Sequence, residues 1–291
     1  MMTEQPPATS ASIPVSARGA TWLWLSIAAA LLAVVGSLIG LSVSSIYAPL
    51  TPAFLPQALA QDIANLLIVA PLWLLLAALA LRGSLRAYLL WLGVLTFTVY
   101  NYVIYTFSIP FGPLFLLWVA VLGMSLYALI GGVTAVHHDA VMARFGNRRA
   151  ITVVAWFLIV TAVLFLFLWL SEDLPALLSG TRPASLVDMA LPTNPVHILD
   201  LAFFLPLVFA TGVMLLKGKP LAYTLAVPLI VFLVLTGVPI LFTPLVQTAR
   251  GELAAWGVVL PIGTLTFAGV VVLAWVLGTM TGRVRNGTRP V

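Results

Sequence analysis

Cysteine is absent from all 291 residues, and only 7% of the residues carry charge. The first absence excludes disulfides, thiolate metal sites, iron–sulfur clusters and cysteine redox chemistry. The second excludes an ordinary soluble domain, in which roughly a quarter of the residues are charged. The short alternating segments of a membrane β-barrel are missing too, because the apolar runs are continuous and about twice the roughly ten residues that a barrel strand needs. No Gly-x-Ser-x-Gly elbow occurs, which argues against a serine hydrolase, and there is no nucleotide-binding motif. Only one of the three histidines lies inside an apolar run, so a bis-histidine haem would need two subunits.

What the chain does have is hydrophobicity: 62% of its residues are apolar and the mean hydropathy is +1.16. Crossing a hydrocarbon core of roughly 30 Å takes about 20 apolar residues in a helix. Eight stretches qualify, at about 22–43, 62–81, 87–107, 113–133, 150–170, 195–216, 220–242 and 254–278, the last interrupted by Gly257, Pro261 and Gly263. These predict an all-α polytopic transmembrane helix bundle. Residues 1–21, rich in Pro, Ser, Thr and Ala, read as a disordered tail, and the run from Trp22 is too long for a cleaved signal.

Basic residues set the orientation, since Lys and Arg are retained on the cytoplasmic side. Eight spans put eleven of the 13 basic residues on one face: Arg18, Arg82, Arg86, Arg144, Arg148, Arg149, Lys217, Lys219, Arg283, Arg285 and Arg289. Arg182 and Arg250 lie opposite. Both termini are therefore expected in the cytoplasm. The pI near 9.9 reflects this topology, and the basic residues are too scattered along the membrane face for a nucleic-acid partner. The partners implied are the bilayer, anionic headgroups at the cytoplasmic face and, at most, a second copy of the chain. The sequon Asn286-Gly287-Thr288 falls on the cytoplasmic tail and is a chance match.

Residues 62–107 align without a gap on residues 197–242, at an offset of 135. Pro71/Pro206, Gly83/Gly218 and Ala87-Tyr88/Ala222-Tyr223 are shared, and Arg82 is paired with Lys217. Long segments precede the second and sixth spans, and short basic turns follow them. This predicts a parallel 4+4 internal duplication about an axis along the membrane normal: a first repeat at 22–133, a linker at 134–149, a second repeat at 150–278 and a basic tail at 279–291. The two matched prolines predict matched kinks, and Gly36 and Gly40 form a small-residue face for close helix packing.

Polar residues gather toward the extracytoplasmic half. The alignment pairs Asp62 with His197 and Asn65 with Asp200, each pair a helical turn apart on one face. Asn101 lies about six residues, roughly 9 Å, below the outer boundary of the third span. Asp62, Asn65, Asn101, His197 and Asp200 are therefore the candidate substrate or ion ligands, since polar groups this deep must face protein or water. His197, Asp200 and Asp62 are also the candidate ligands for a divalent metal. The alternative is capping: Asn194-Pro195 makes a good helix start, and Asp62 could cap its own helix. Tyr100, Tyr102 and Tyr105 fit an aromatic belt, and His137-His138-Asp139 reads as a solvated inner loop. Glu172, Asp173 and Asp188 are expected to be solvated in the outer loop, which is long enough to act as a lid.

The stretch from Tyr100-Asn101-Tyr102 through Phe115-Leu116-Leu117 to Ser125-Leu126-Tyr127 resembles a group of bacterial multi-spanning membrane proteins with no assigned function. The resemblance implies a bacterial inner-membrane location and transfers neither an activity nor site residues. Three functions compete: a transporter of protons, ions or a small solute, favoured slightly; an intramembrane metal-binding or catalytic protein open to the outer face; and a membrane scaffold or assembly partner.

Overall fold

The computed structural model describes residues 15–16 and 19–281. Eight helices are long and apolar enough to cross a membrane: α1 (Gly19–Ser42), α2 (Leu55–Leu81), α3 (Leu85–Ser108), α4 (Phe115–Thr134), α5 (Arg148–Ser179), α6 (Pro195–Leu216), α7 (Pro220–Ala249) and α8 (Trp256–Thr279). Among the described residues there is no strand, only the isolated bridges Val15–Val136 and Phe145–Met280. The chain is thus all-helical and built as a multi-pass membrane protein.

Three helices outrun their apolar stretches. α2 begins at Leu55, α5 continues to Ser179 and α7 to Ala249, because hydropathy marks only the part of a helix in lipid while backbone hydrogen bonding continues beyond it. Of the expected disordered tail, Gly19 to Thr21 are already helical. The remainder of that tail except residues 15 and 16, together with Arg18, Arg283, Arg285, Arg289 and the Asn286 sequon, lies outside the described residues.

α1 packs on α2 and α4, α2 on α3, and α3 on α4; α5 packs on α6 and α8, α6 on α7, and α7 on α8. Between the groups, α3 crosses α7, α2 meets α7 and α6 meets α3. The α3–α7 crossing is close because Gly93 has no side chain: a Cβ there would lie 2.4 Å from Val231 Cβ and 2.8 Å from the carbonyl of Pro228. α3 is the most buried of the eight spans and α8 the least. Side chains lock α3 in place, since Trp91 donates to Ser26 on α1 at 2.9 Å and Tyr88 to the Gly132 carbonyl on α4 at 2.9 Å.

α2 and α6 share two irregularities at an offset of 135. Each contains a π turn, Asn65–Val69 and Asp200–Phe204, whose end is marked by Ala70 N–H donating to the Asn65 carbonyl and Leu205 N–H to the Asp200 carbonyl. Proline follows at once, as Pro71 and Pro206. A proline ring clashes with the preceding turn and supplies no N–H, and the wider π turn makes room for it. The expected distortion thus takes the form of a π turn. Each helix then ends on a glycine of positive φ, +90° at Gly83 and +66° at Gly218. Ser84 N–H reaches back to Leu79 O at 3.1 Å and Lys219 N–H to Met214 O at 3.0 Å, the Schellman closure that left-handed glycine permits.

One end of the bundle, here the basic end, gathers the segments around Arg82, Arg86, Arg144 and Lys217. There Arg86 donates to the Met280 carbonyl at 2.6 Å, Thr281 N–H to Arg144 O, and Ser16 N–H to Ala135 O. His138, expected to be solvated, is half-buried and lies 2.9 Å from Thr224 Oγ1 on α7. The opposite, distal end carries the segments before α2, α6 and α8.

The α3–α7 contact generates a prediction. Gly93→Leu should destabilise the bundle by about 1–3 kcal/mol through overpacking. Gly123→Leu, where an added Cβ meets nothing within 4 Å, should leave the thermal unfolding midpoint in detergent unchanged.

Candidate functional site

Asp62 lies in the third turn of α2, too deep to cap the helix, and is buried. Both of its oxygens carry a phenol: Tyr47 donates to Oδ2 at 2.6 Å and Tyr105, on α3, to Oδ1 at 2.8 Å. Tyr47 belongs to the distal segment before α2, which turns back into the bundle through a 3-10 turn at Ser44–Ile46. Burial and the adjacent Asp62 carboxylate push the Tyr47 phenol well above its ordinary range, so it stays a hydrogen donor. Gly40 makes the pairing fit, since a Cβ there would sit 2.3 Å from Asp62 Oδ2 and 2.8 Å from the Tyr47 hydroxyl. Asn65 is tied in turn, donating to Ser37 on α1 at 3.3 Å and accepting from Gln61 at 3.0 Å.

The second polar group lies on α5 and α6. Asn194 caps α6 as expected, accepting from the Val196 and His197 amides. His197 Nδ1 is 3.0 Å from Asp173 Oδ1, and its Nε2 is 3.8 Å from Glu172 Oε2. Ser185, on the short helix Ala184–Asp188, donates to Glu172. The Trp169 ring lies against the imidazole, with centroids 4.4 Å apart, and its Nε1–H donates to Asp200 Oδ2 at 2.8 Å. Tyr100, on α3, lines the same cavity as this carboxylate. Glu172 and Asp173 are therefore not free in a solvated loop. α5 continues past its apolar stretch and carries both to His197, while Asp188 is exposed.

Between α2, α3, α5, α6, α7 and α8 lies a cavity of about 400 Å³, walled mainly by apolar side chains. Its polar groups include Asp200, Asn101, Tyr100, Gln61, Trp169 and Thr236. It runs from Gln57 and Val258 near the distal ends to Phe97, roughly 16 Å along α3 from Ser108 at 1.5 Å per residue. Asn101 is 4% exposed, and its Nδ2 has no hydrogen-bond partner.

The five predicted residues thus separate. Asp200 and Asn101 both line the cavity. Asp62 and Asn65 stand one residue behind its wall, Asp62 bonded to the lining residue Tyr105 and Asn65 to the lining residue Gln61. His197 turns toward Glu172 and Asp173. Among the described residues no three His, Asp or Glu side chains are arranged to hold a metal ion. Tyr100, Tyr102 and Tyr105 are buried, which corrects the aromatic-belt expectation: their hydroxyls point into protein because α3 is the innermost span. Trp169, Glu172, Asp173, Tyr47, Gln57 and Gln61 went unread as site residues. Gln57, Gln61 and Asn65 recur every four residues, a stripe that marks a helix continuing outward from the apolar run.

The Asp62 nest predicts a stability pattern. Tyr47→Phe and Tyr105→Phe should each cost about 1–3 kcal/mol by leaving a buried carboxylate oxygen without its donor. Gly40→Ala should lower the unfolding midpoint more than Gly36→Ala, whose Cβ would meet only the end of the Leu117 side chain, at 2.8 Å. Comparison with protein families, curated proteins and solved structures gave no match to the chain.

Proposed function

We propose that the chain is a bacterial inner-membrane carrier of a small solute, with both termini in the cytoplasm, its site in the cavity and Asp200 as the carboxylate that contacts the cargo. One observation carries this reading: a 400 Å³ cavity that holds a buried carboxylate and a buried amide nitrogen with no partner. A scaffold has no use for such a space. The depth fits transport, because the cavity begins near the distal ends and reaches toward the middle of the bundle, where carriers bind their cargo. The arrangement does not favour a metal enzyme, since His197 and Asp62 are engaged with Asp173 and with two tyrosines respectively.

The carrier is proposed to consist of two four-helix repeats. Matched π turns, matched Schellman closures and the recurrence of each packing pair four helices later support the duplication. So does the α3–α7 crossing, where Gly93 meets Pro228, its own counterpart at the offset of 135. Phe97 and Phe232, and Asn101 and Thr236, are likewise matched pairs that line the cavity from α3 and α7.

Absence of cysteine makes this testable, because any introduced thiol is the sole one. Asn101→Cys and Thr236→Cys in oriented membranes should react with a membrane-impermeant maleimide from either face, as alternating exposure requires. Reaction from the outer face alone would favour a receptor or enzyme, and from neither face a scaffold. Arg82→Cys should react only from the cytoplasmic side and Arg250→Cys only from outside; the reverse would invert the topology.

A further inference from the structure

Resting on the carrier reading, the charges around the cavity point to the class of cargo. Glu172 and Asp173 lie 3.8 and 3.0 Å from His197, and Asp200 follows one turn further along α6, on the other side of the Trp169 ring. Among the described residues no lysine or arginine pairs with any of the three. Even with His197 protonated, carboxylates outnumber cations. Glu172 and Asp173 are partly exposed and screened by water, but Asp200 is buried, and a buried carboxylate with no lysine or arginine beside it is costly unless a positive charge joins it.

The cavity is shaped to receive one. No lysine, arginine or histidine lines it, and its single carboxylate is Asp200. The rings of Trp169, Tyr100, Phe97, Phe165 and Phe232 line the same space, and aromatic faces attract cations most strongly where water is excluded. The Asn101 amide is buried and unpartnered on the wall. Turning it over exchanges its oxygen and nitrogen, so it can offer an oxygen to an ammonium N–H or its N–H to a ligand hydroxyl or carbonyl. A divalent metal ion would find a single charged ligand there, Asp200, and an anion would find no basic partner. We infer that the cavity binds a monovalent organic cation, an amine or quaternary ammonium with an apolar body, with Asp200 as its counter-ion and the aromatic rings enclosing its head.

Equilibrium binding to the purified full chain in detergent tests this, with benzyltrimethylammonium as the cationic probe and benzyl alcohol and benzenesulfonate as neutral and anionic probes of similar size. The cation should bind in preference to both. Asp200→Asn should weaken its binding by about tenfold or more, as removal of a desolvated counter-ion does, while Asp200→Glu should restore most of it. Asn101→Leu should have a smaller effect, and Asp188→Asn, on the exposed distal segment, none. Thermal unfolding of each variant separates lost binding from lost fold. Should Asp200→Glu prove unfolded, the discrimination among the three probes by the unaltered chain still decides.

Equal binding of the three probes, no binding of the cation, or an unchanged affinity in a folded Asp200→Asn variant would overturn the assignment. Failure of the carrier reading is distinguished by the thiol labelling. A cavity reached from both faces without cation preference is a carrier for another solute. Cation preference with labelling from one face is a cation-binding protein that does not transport.

Discussion

Hydrocarbon offers no hydrogen bonds, so a polar group within a membrane span must find its partner inside the protein. Most of this bundle can be understood from that constraint. Thr96, Thr98 and Thr236 return their hydroxyls to the carbonyl four residues back. Trp91 finds Ser26, Tyr88 finds a carbonyl freed at the end of α4, and Asp62 finds two phenols. Among the described residues the buried side-chain atoms without a partner are few. Apart from Arg144, which is otherwise engaged, they are on Trp73, Asn101, Ser125 and Thr211. Of those four only Asn101 lines the cavity. The constraint that explains the scaffold therefore also isolates the place where the scaffold is incomplete.

The same constraint divides the two polar groups. The group on α1–α3 is closed by the chain itself: Tyr47 returns from the distal segment, and Gly40 leaves space for it against Asp62. The group on α5 and α6 is held on one side by Glu172 and Asp173, while Asp200 lies open to the cavity. Tyr105 and Gln61 join the two, since each lines the cavity and bonds to a residue behind the wall. Movement of Tyr105 would pull on the nest that anchors the segment before α2, and movement of Gln61 on the tie between Asn65 and Ser37 of α1.

Much of the architecture was legible because length and continuous hydropathy alone decide which helices can cross a membrane, and all eight are where those runs lie. Asp200 and Asn101 were legible for a related reason: each is a polar residue too deep in an apolar run to be a cap. The environment of His197 was not. Its partners Glu172 and Asp173 follow the apolar stretch of α5, and nothing in hydropathy says that the helix continues for two further turns and brings them back against α6. Tyr47 was hidden by a different cause, since a segment between spans reads as solvent-exposed until a tertiary contact draws it inward. The Trp169 ring, set between His197 and Asp200, likewise depends on the packing of α5 against α6, which the spacing within either helix does not reveal.

A π turn is an α-helix that has gained one residue, and the gain rotates everything beyond it by roughly 100°. In α2 the extra residue lies between the polar face at Asn65 and the glycine-capped end; in α6 it lies between Asp200 and the matching end. Deleting one residue from either turn would restore a continuous α-helix at the cost of misaligning its two ends. Under the proposed duplication the insertion was already present in the ancestral four-helix unit, before its two copies diverged. The π turn would then be the common inheritance, and the two halves would differ in what stands at its head, an amide at Asn65 and a carboxylate at Asp200.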